Sequence, residues 1–413
     1  MRLLPPSAGP AVRFLLVTRG ARAVADGCMA VVMPAYLLIL GFDPLQIGIL
    51  ITATLLGSAV LTLVVGLHAH RGSLRLLLIA MSALMAATGG GFAVIHEFWP
   101  LLVVAFVGTL NPSSGDVSAF LPLEQSLLSH AIADVDRTDL FARYSLVGSL
   151  CAAVGTLTAA LPDWLARGLA FDHLAAFRAV FVLYGCIGVA VAFIYRCLPA
   201  DAGAPEAAEG GQKPAGLGPS RGIVLKLAAL FSVDSFAGGL ATQSLLVLWL
   251  FATFHLSVAA AAQILFWTGL LTSVSYLISA RIARRIGLVN TMVFTHLPAN
   301  LCLFALPFAP SLWIAIPLLL IRGLLSSMDV PVRSSYVMAV VTPAERPAAA
   351  SLTAVPRSLA AAVGPSLGGL LLSASPFGWP FLLGGLLKGA YDVGLLVMFR
   401  NVRPQEERAK ETA

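Results

Sequence analysis

Charge is what this chain has least of. Only 11% of its 413 residues are Asp, Glu, Lys or Arg, against about a quarter in a soluble domain. Hydrophobic residues make up 58%, and the mean hydropathy is +0.90. These values exclude a soluble enzyme, a disordered chain and a coiled coil. Cysteine is sparse as well. Cys28, Cys151, Cys186, Cys197 and Cys302 are scattered, with no CxxC or Cys/His spacing, so no metal site is expected and they read as small apolar fillers. No GxxxxGK[ST] loop is present, which excludes direct use of ATP by this chain. HExxH and GxSxG are missing too, and with them the usual hydrolase signatures. No cofactor is expected. The first residues lack an apolar core followed by a small-residue cleavage site, so no removable signal peptide is expected. Lysine is scarce beside arginine and alanine is abundant, a composition typical of a GC-rich bacterial genome. The net charge is +6, but few of the 26 basic residues cluster, so no nucleic-acid partner is implied.

Long apolar runs dominate the chain. About 20 apolar residues cross the roughly 30 Å of a bilayer's hydrocarbon. Such runs lie near 14–40, 46–67, 75–95, 99–121, 140–161, 176–198, 223–253, 258–280, 290–309, 312–340, 348–373 and 379–399. The expectation is an all-α membrane protein of twelve transmembrane helices, embedded in the lipid bilayer. Residues 200–221 are rich in Pro, Gly and Ala without an apolar period, and read as a flexible linker. The halves are then 1–199 and 222–399, with a tail at 400–413. Arg2, Arg13, Arg71, Arg75, Lys213, Arg221, Arg281, Arg284, Arg285, Arg400, Arg403, Arg408 and Lys410 fall in the termini and on one side of the membrane. On the opposite side Arg167 is the clear exception. The excess of positive charge marks the cytoplasmic side, so both termini are expected there, in a bacterial inner membrane.

The two halves repeat each other. Ser113-Ser114-Gly115-Asp116-Val117 returns 213 residues later as Ser326-Ser327-Met328-Asp329-Val330. Ser149-Leu150 with Ala152-Ala153-Val154-Gly155 returns 209 residues later as Ser358-Leu359 with Ala361-Ala362-Val363-Gly364. Asp26 and Asp234 are 208 apart. Nearly constant offsets, in order, point to duplication of a six-helix unit.

Six plus six spans around a central linker resemble the major facilitator superfamily of secondary transporters. The family's loop between spans 2 and 3, G-x-L-A-D-R-x-G-R-K, is degraded here to Gly66-Leu67-His68-Ala69-His70-Arg71-Gly72-Ser73, with His70 at the Asp position. After span 8, Arg284 stands at that position, while Arg285 and Gly287 fit. The family's Gly-Pro-x-x-Gly-Gly antiporter motif normally lies in span 5; here it is Gly364-Pro365-Ser366-Leu367-Gly368-Gly369 in span 11. The resemblance implies two pseudo-symmetric six-helix bundles that alternate access, with spans 1, 4, 7 and 10 around a central cavity. It also implies a chain that needs no oligomeric partner.

An ionisable residue inside a membrane is a functional candidate by default, because its charge costs several kcal/mol there. Asp26, Asp116, Asp234 and Asp329 fall one to each of spans 1, 4, 7 and 10, and Glu124 follows in span 4. Arg19, Arg22, Lys226, Arg322 and Arg333 accompany them. These carboxylates either take up and release protons, or form structural locks with the cations. Arg22 with Asp26, and Asp329 with Arg333, have the spacing to pair within one helix. Asn111, Ser113, Ser114, Ser326 and Ser327 are polar cavity candidates beside helix breaks at Pro112, Pro122 and Pro331, and Gln243 and Tyr336 are candidates for amphipathic contacts in the cavity. Arg71, Arg143, Arg285, Gly364, Pro365 and Gly368 are interface and gate candidates. In span 12, an outer helix by the resemblance, Lys388 and Asp392 are expected to pair with each other. His296 is expected to be a buried neutral donor rather than a proton carrier. The function expected is proton-coupled transport of a small organic solute, with export favoured. Uptake of an organic anion is one alternative; a non-transporting membrane sensor is another.

Overall fold

A computed structural model describes residues 10–68, 73–111, 118–130, 134–168, 172–199, 218, 220–342 and 345–400. Its elements are α1 (Pro10–Ile39), α2 (Pro44–His68), α3 (Leu74–Val94), α4 (Phe98–Val107), α5 (Phe120–His130), α6 (Asp134–Leu157), α7 (Leu161–Gly168) and α8 (His173–Arg196). There follow α9 (Arg221–Leu240), α10 (Gln243–Phe254), α11 (Val258–Ile286), α12 (Leu288–Ala305), α13 (Leu312–Leu325), α14 (Asp329–Val340), α15 (Arg346–Ala374) and α16 (Trp379–Phe399). Helices dominate for a physical reason. Hydrocarbon offers no hydrogen bonds, so every backbone group in a span must be satisfied within its own segment. Eleven helical segments among the described residues are long and apolar enough to cross a membrane. The twelfth span is split into α4 and α5. The fold is an all-α membrane protein of twelve transmembrane helices in two pseudo-symmetric six-helix bundles.

By contact, the chain forms two compact units. One comprises Met1–Ala208 with Gln243–Phe266; the other comprises Glu209–Thr242 with Trp267–Ala413. Spans 7 and 8 are therefore both shared, α11 dividing after Phe266. Span 7 breaks at Ala241–Thr242, just after Gly238 and Gly239, residues that weaken a helix. Its first segment, α9, stays with the C-terminal spans. Its second, α10, packs on α1 and α2 in the N-terminal unit, where the Ser244 hydroxyl donates to the Ala30 carbonyl (3.0 Å).

In span 4 the α4 helix ends at Val107 and α5 starts at Phe120, with residues 112–117 outside the described ones; span 10 breaks between Leu325 and Asp329. Neither Pro122 nor Pro331 kinks a helix interior. Each sits in the first turn of the segment that restarts after the break, where a missing N–H is harmless.

The repeated Ala-Ala-Val-Gly has a packing role in each unit. In the N-terminal unit α6 lies on α1. A Cβ at Gly27 would stand 2.0 Å from the Ala152 carbonyl oxygen, and one at Gly155 would stand 2.1 Å from that of Val24. In the C-terminal unit α15 lies on α9. There a Cβ at Gly239 would stand 2.3 Å from the Ala361 oxygen, and one at Gly364 would stand 2.5 Å from Gly239 backbone atoms. Glycine lets these backbones touch. The duplicated sequence marks a duplicated contact.

Candidate functional site

Among the described residues of the spans, each unit holds a buried cluster of charge. In the N-terminal unit it forms around Glu124, which is fully buried on α5. Arg22 of α1 donates to one Glu124 oxygen, and so does the Tyr144 hydroxyl of α6. Thr18 of α1 (3.0 Å) and Tyr195 of α8 (2.6 Å) donate to the other. Four spans thus converge on one carboxylate. The Arg22 guanidinium also lies 3.9 Å from the centre of the Phe120 ring, and that of Arg19 lies 5.1 Å from the Tyr144 ring, distances at which a cation is attracted to the ring face. Phe120, Tyr144 and Tyr195 belong to the apolar core of this unit. Each tyrosine buries its ring there and turns its hydroxyl to Glu124.

In the C-terminal unit the cluster forms around Asp234 on α9. Arg333 of α14 donates to one Asp234 oxygen at 2.9 Å, and Lys388 of α16 donates to the other at 2.6 Å. Arg333 also pairs with Asp329, one turn away on its own helix. The His296 ring of α12 bridges outward, with Nδ1 3.0 Å from Asp392 and Nε2 3.9 Å from Asp234. Asn300 donates to Asp392 at 2.7 Å. Arg333 lies over the Phe231 and Tyr391 rings, at 5.0 and 5.8 Å.

Several expectations are corrected by this geometry. Arg22 pairs with Glu124 on another span rather than with Asp26 on its own helix. Lys388 and Asp392 do not pair with each other; their side chains point to different partners, Asp234 and His296. Arg22 and Arg333 are committed to carboxylates and do not stand open to a solute. Lys226 is exposed, off the buried face that carries Asp234. Tyr336 is fully buried in the apolar core, edge-on to Phe399. The expected pairing of Asp329 with Arg333 is observed.

Asp26 is half-buried, and among the described residues it makes no hydrogen bond or ion pair; Arg22 and Arg19 are its charged neighbours. Asn111 is buried four residues past the end of α4. Ser326 is half-buried in the span 10 break, its N–H on the Arg322 carbonyl at 2.8 Å. Gln243 opens α10 and is half-buried, with an Oε1 that meets no donor among the described residues. Arg143 is half-buried, Arg285 is exposed, and Pro365 and Gly368 are buried on α15 with Gly364. Arg71, Ser113, Ser114 and Asp116 lie outside the described residues.

One charged group outside the spans is also highly organised. Glu345 precedes α15 and gathers the end of the linker. Its carboxylate accepts from Ser220 Oγ (2.6 Å), Thr342 Oγ1 (2.7 Å) and the Gly218 N–H (2.5 Å). These hydrogen bonds, those of Ser220 and Thr342 foremost, hold it down at about 2 from its ordinary 4.5. Nothing in the local sequence signals this clasp, because its linker partners arrive from about 125 residues away.

Twelve spans in two related bundles, each locked by its own buried charges, define the architecture of a membrane transporter. The sequence profile of the Major Facilitator Superfamily matches residues 15–328 and again 301–413, and the chain belongs to that family. It is therefore a transporter and not an enzyme. An uncharacterized membrane protein of Saccharomyces cerevisiae is 24% identical over 422 residues, covering 95% of this chain and 94% of its own. Among solved structures, the nucleoside transporter NupG superposes with a TM-score of 0.74 at 15% identity, covering 94% of this chain and 100% of that one. A bacterial homolog of the human lysosomal transporter Spinster gives 0.66 at 17%, covering 95% and 96%. The human organic anion transporter MFSD10 gives 0.64 at 16%, covering 95% and 100%. At such identities the likeness establishes the fold.

Proposed function

We propose that this transporter couples the movement of a small organic solute to protons by alternating access, and that Asp26 carries the proton. The observation behind this reading is the contrast among buried carboxylates. Glu124, Asp234, Asp329 and Asp392 are each held by a cation or a ring of donors. Asp26 alone among the described carboxylates of the spans has no such partner. A lone charge in the membrane costs several kcal/mol, and taking up a proton removes that cost. A carboxylate already bound to Arg and Lys has no comparable reason to accept one. Export is the direction proposed, although the Gly364–Gly369 motif lies in span 11 rather than span 5 and does not carry that choice. Both termini lie in the cytoplasm of a bacterial cell, as the Lys/Arg distribution supports, and the chain works as a monomer.

The test uses purified protein in liposomes with a pH dye inside, a pH gradient and pooled organic solutes. Solute-dependent proton movement is expected in the wild type and in Asp234→Asn, and is expected to vanish in Asp26→Asn. Movement that survives in Asp26→Asn rejects Asp26 as the carrier. Saturable binding with no flux under any gradient selects the non-transporting sensor instead.

A further inference from the structure

The charge buried inside each bundle is largely compensated within that bundle. Asp26 is the departure among the described carboxylates, and Arg322 is the departure among the cations. It stands ten residues past Leu312, the first residue of α13, about 15 Å along the span at 1.5 Å per residue and so near the middle of a roughly 30 Å hydrocarbon layer. It is half-buried, and among the described residues its guanidinium makes no hydrogen bond and no ion pair. Its one charge-sensitive neighbour among them is the thiol of Cys302 on α12. Lys226 also lacks an ion pair, but it is exposed and only five residues into α9, where a long stem carries the ammonium to the membrane surface. Arg322 has no such route.

Its position is also fixed. The next residue, Gly323, is pressed against α11: a Cβ there would stand 2.9 Å from the Thr268 carbonyl oxygen, and the Thr272 hydroxyl donates to the Gly323 carbonyl at 2.9 Å. The close contact of α13 with α11 holds α13 in rotation and keeps Arg322 on the side of Cys302. A guanidinium has five N–H donors and no acceptor, and left unpaired at this depth it is costly. Planar anions satisfy it in two-pronged fashion.

We propose that Arg322 is the counter-cation for the negative group of the transported solute, which makes the solute an organic anion bearing a carboxylate, sulfonate or phosphate. This deepens the transport reading by naming the solute class, and it holds or fails independently of Asp26 as proton carrier. A lipid phosphate offers the same chemistry, but its place is at the membrane surface rather than at this depth.

Cys302 supplies the test. Cys28, Cys151, Cys186 and Cys197 are replaced, leaving Cys302 as the only thiol, and the protein is reconstituted in neutral lipid. It is reacted with a sulfonate-bearing methanethiosulfonate and with a neutral hydroxyl-bearing one of similar size. A fixed cation raises the local concentration of an anionic reagent about tenfold or more, so the sulfonate reagent is expected to win by about that factor. The preference is expected to vanish in Arg322→Gln and to persist in part in Arg322→Lys, which also serves if the Gln variant does not fold. Soluble aromatic carboxylates are expected to protect Cys302; added anionic phospholipid is not. No preference for the anionic reagent, a preference that survives in Arg322→Gln, or protection by anionic phospholipid but not by soluble carboxylates overturns the proposal. Because labelling needs no gradient, a failed transport assay leaves this result readable.

Discussion

The two units solve one problem with opposite signs. Glu124 in span 4 and Arg333 in span 10 are 209 positions apart, the offset that relates the duplicated Ala-Ala-Val-Gly segments. In the N-terminal unit the span 4 residue is the anion, and its cation, Arg22, comes from span 1. In the C-terminal unit the span 10 residue is the cation, and its anion, Asp234, comes from span 7. Both pairs tie the first helix of a unit to its fourth. What is shared is the tie rather than the polarity, because a buried ion pair needs its complement and not a particular orientation. The partners differ too. Glu124 is finished by neutral hydroxyls, whereas Asp234 takes a second cation and opens onto His296, Asp392 and Asn300.

That contrast is sharpest in the effect of losing one carboxylate. Glu124→Ala leaves Arg22 without its ion-pair partner, Asp26 being near but not in hydrogen-bond contact, and breaking a buried pair costs about 3–5 kcal/mol. The thermal unfolding midpoint in detergent is expected to fall further for this variant than for the loss of Asp329. Asp329→Ala is expected to cost less, about 2 kcal/mol as for a lost hydrogen bond to a charged group, because Arg333 keeps Asp234. Asp234→Ala combined with Asp329→Ala, which strands Lys388 as well as Arg333, should reach at least the Glu124 loss. Equal single losses in the two units would show that the second carboxylate gives Arg333 no protection.

The glycine contacts probe the symmetry itself. Gly155→Ala and Gly364→Ala each drive a methyl group into backbone, and such overpacking costs about 1–3 kcal/mol. The two losses are expected to match. A cost in one unit only would mean that the repeated segment keeps its packing role in one copy alone.

The smallest effect belongs to the Glu345 clasp, which has no counterpart among the described residues of the N-terminal unit. A carboxylate whose folded value is depressed adds stability that is fully present above its unfolded value and lost as pH falls toward the folded one. The contribution of Glu345 is therefore complete above 4.5 and disappears between 4.5 and about 2. Glu345→Gln should remove that part of the acid dependence of unfolding, leaving the N-terminal unit unchanged by hydrogen exchange. An identical acid profile in wild type and variant would sink the assignment.

Much of this was legible in the residues. Apolar run length placed the spans, because hydrocarbon thickness sets how many residues a helix needs to cross. Duplicated segments at nearly constant offsets pointed to a repeated six-helix unit, though not to the placing of Gln243–Phe266 in the N-terminal unit. The intramembrane charges marked the right regions: Glu124, Asp234, Asp329 and Arg333 all lie in the buried clusters. Their partners were not legible. Spacing along one helix suggested Arg22 with Asp26 and Lys388 with Asp392, and both suggestions failed. Tyr144, Tyr195, Thr18 and Asn300 carried no signal at all, since a tyrosine or threonine in an apolar run looks the same whether its hydroxyl meets a carboxylate or a backbone carbonyl.

The sequence by itself therefore determined the class of protein, the number of spans and the duplication, all consequences of hydropathy and repetition along the chain. Only the tertiary structure decided which charges are spent on each other and which, like Asp26 and Arg322, are left over. Pairing depends on which helix faces meet across 100 or so residues of chain, and helical periodicity fixes a residue's face without fixing its neighbour.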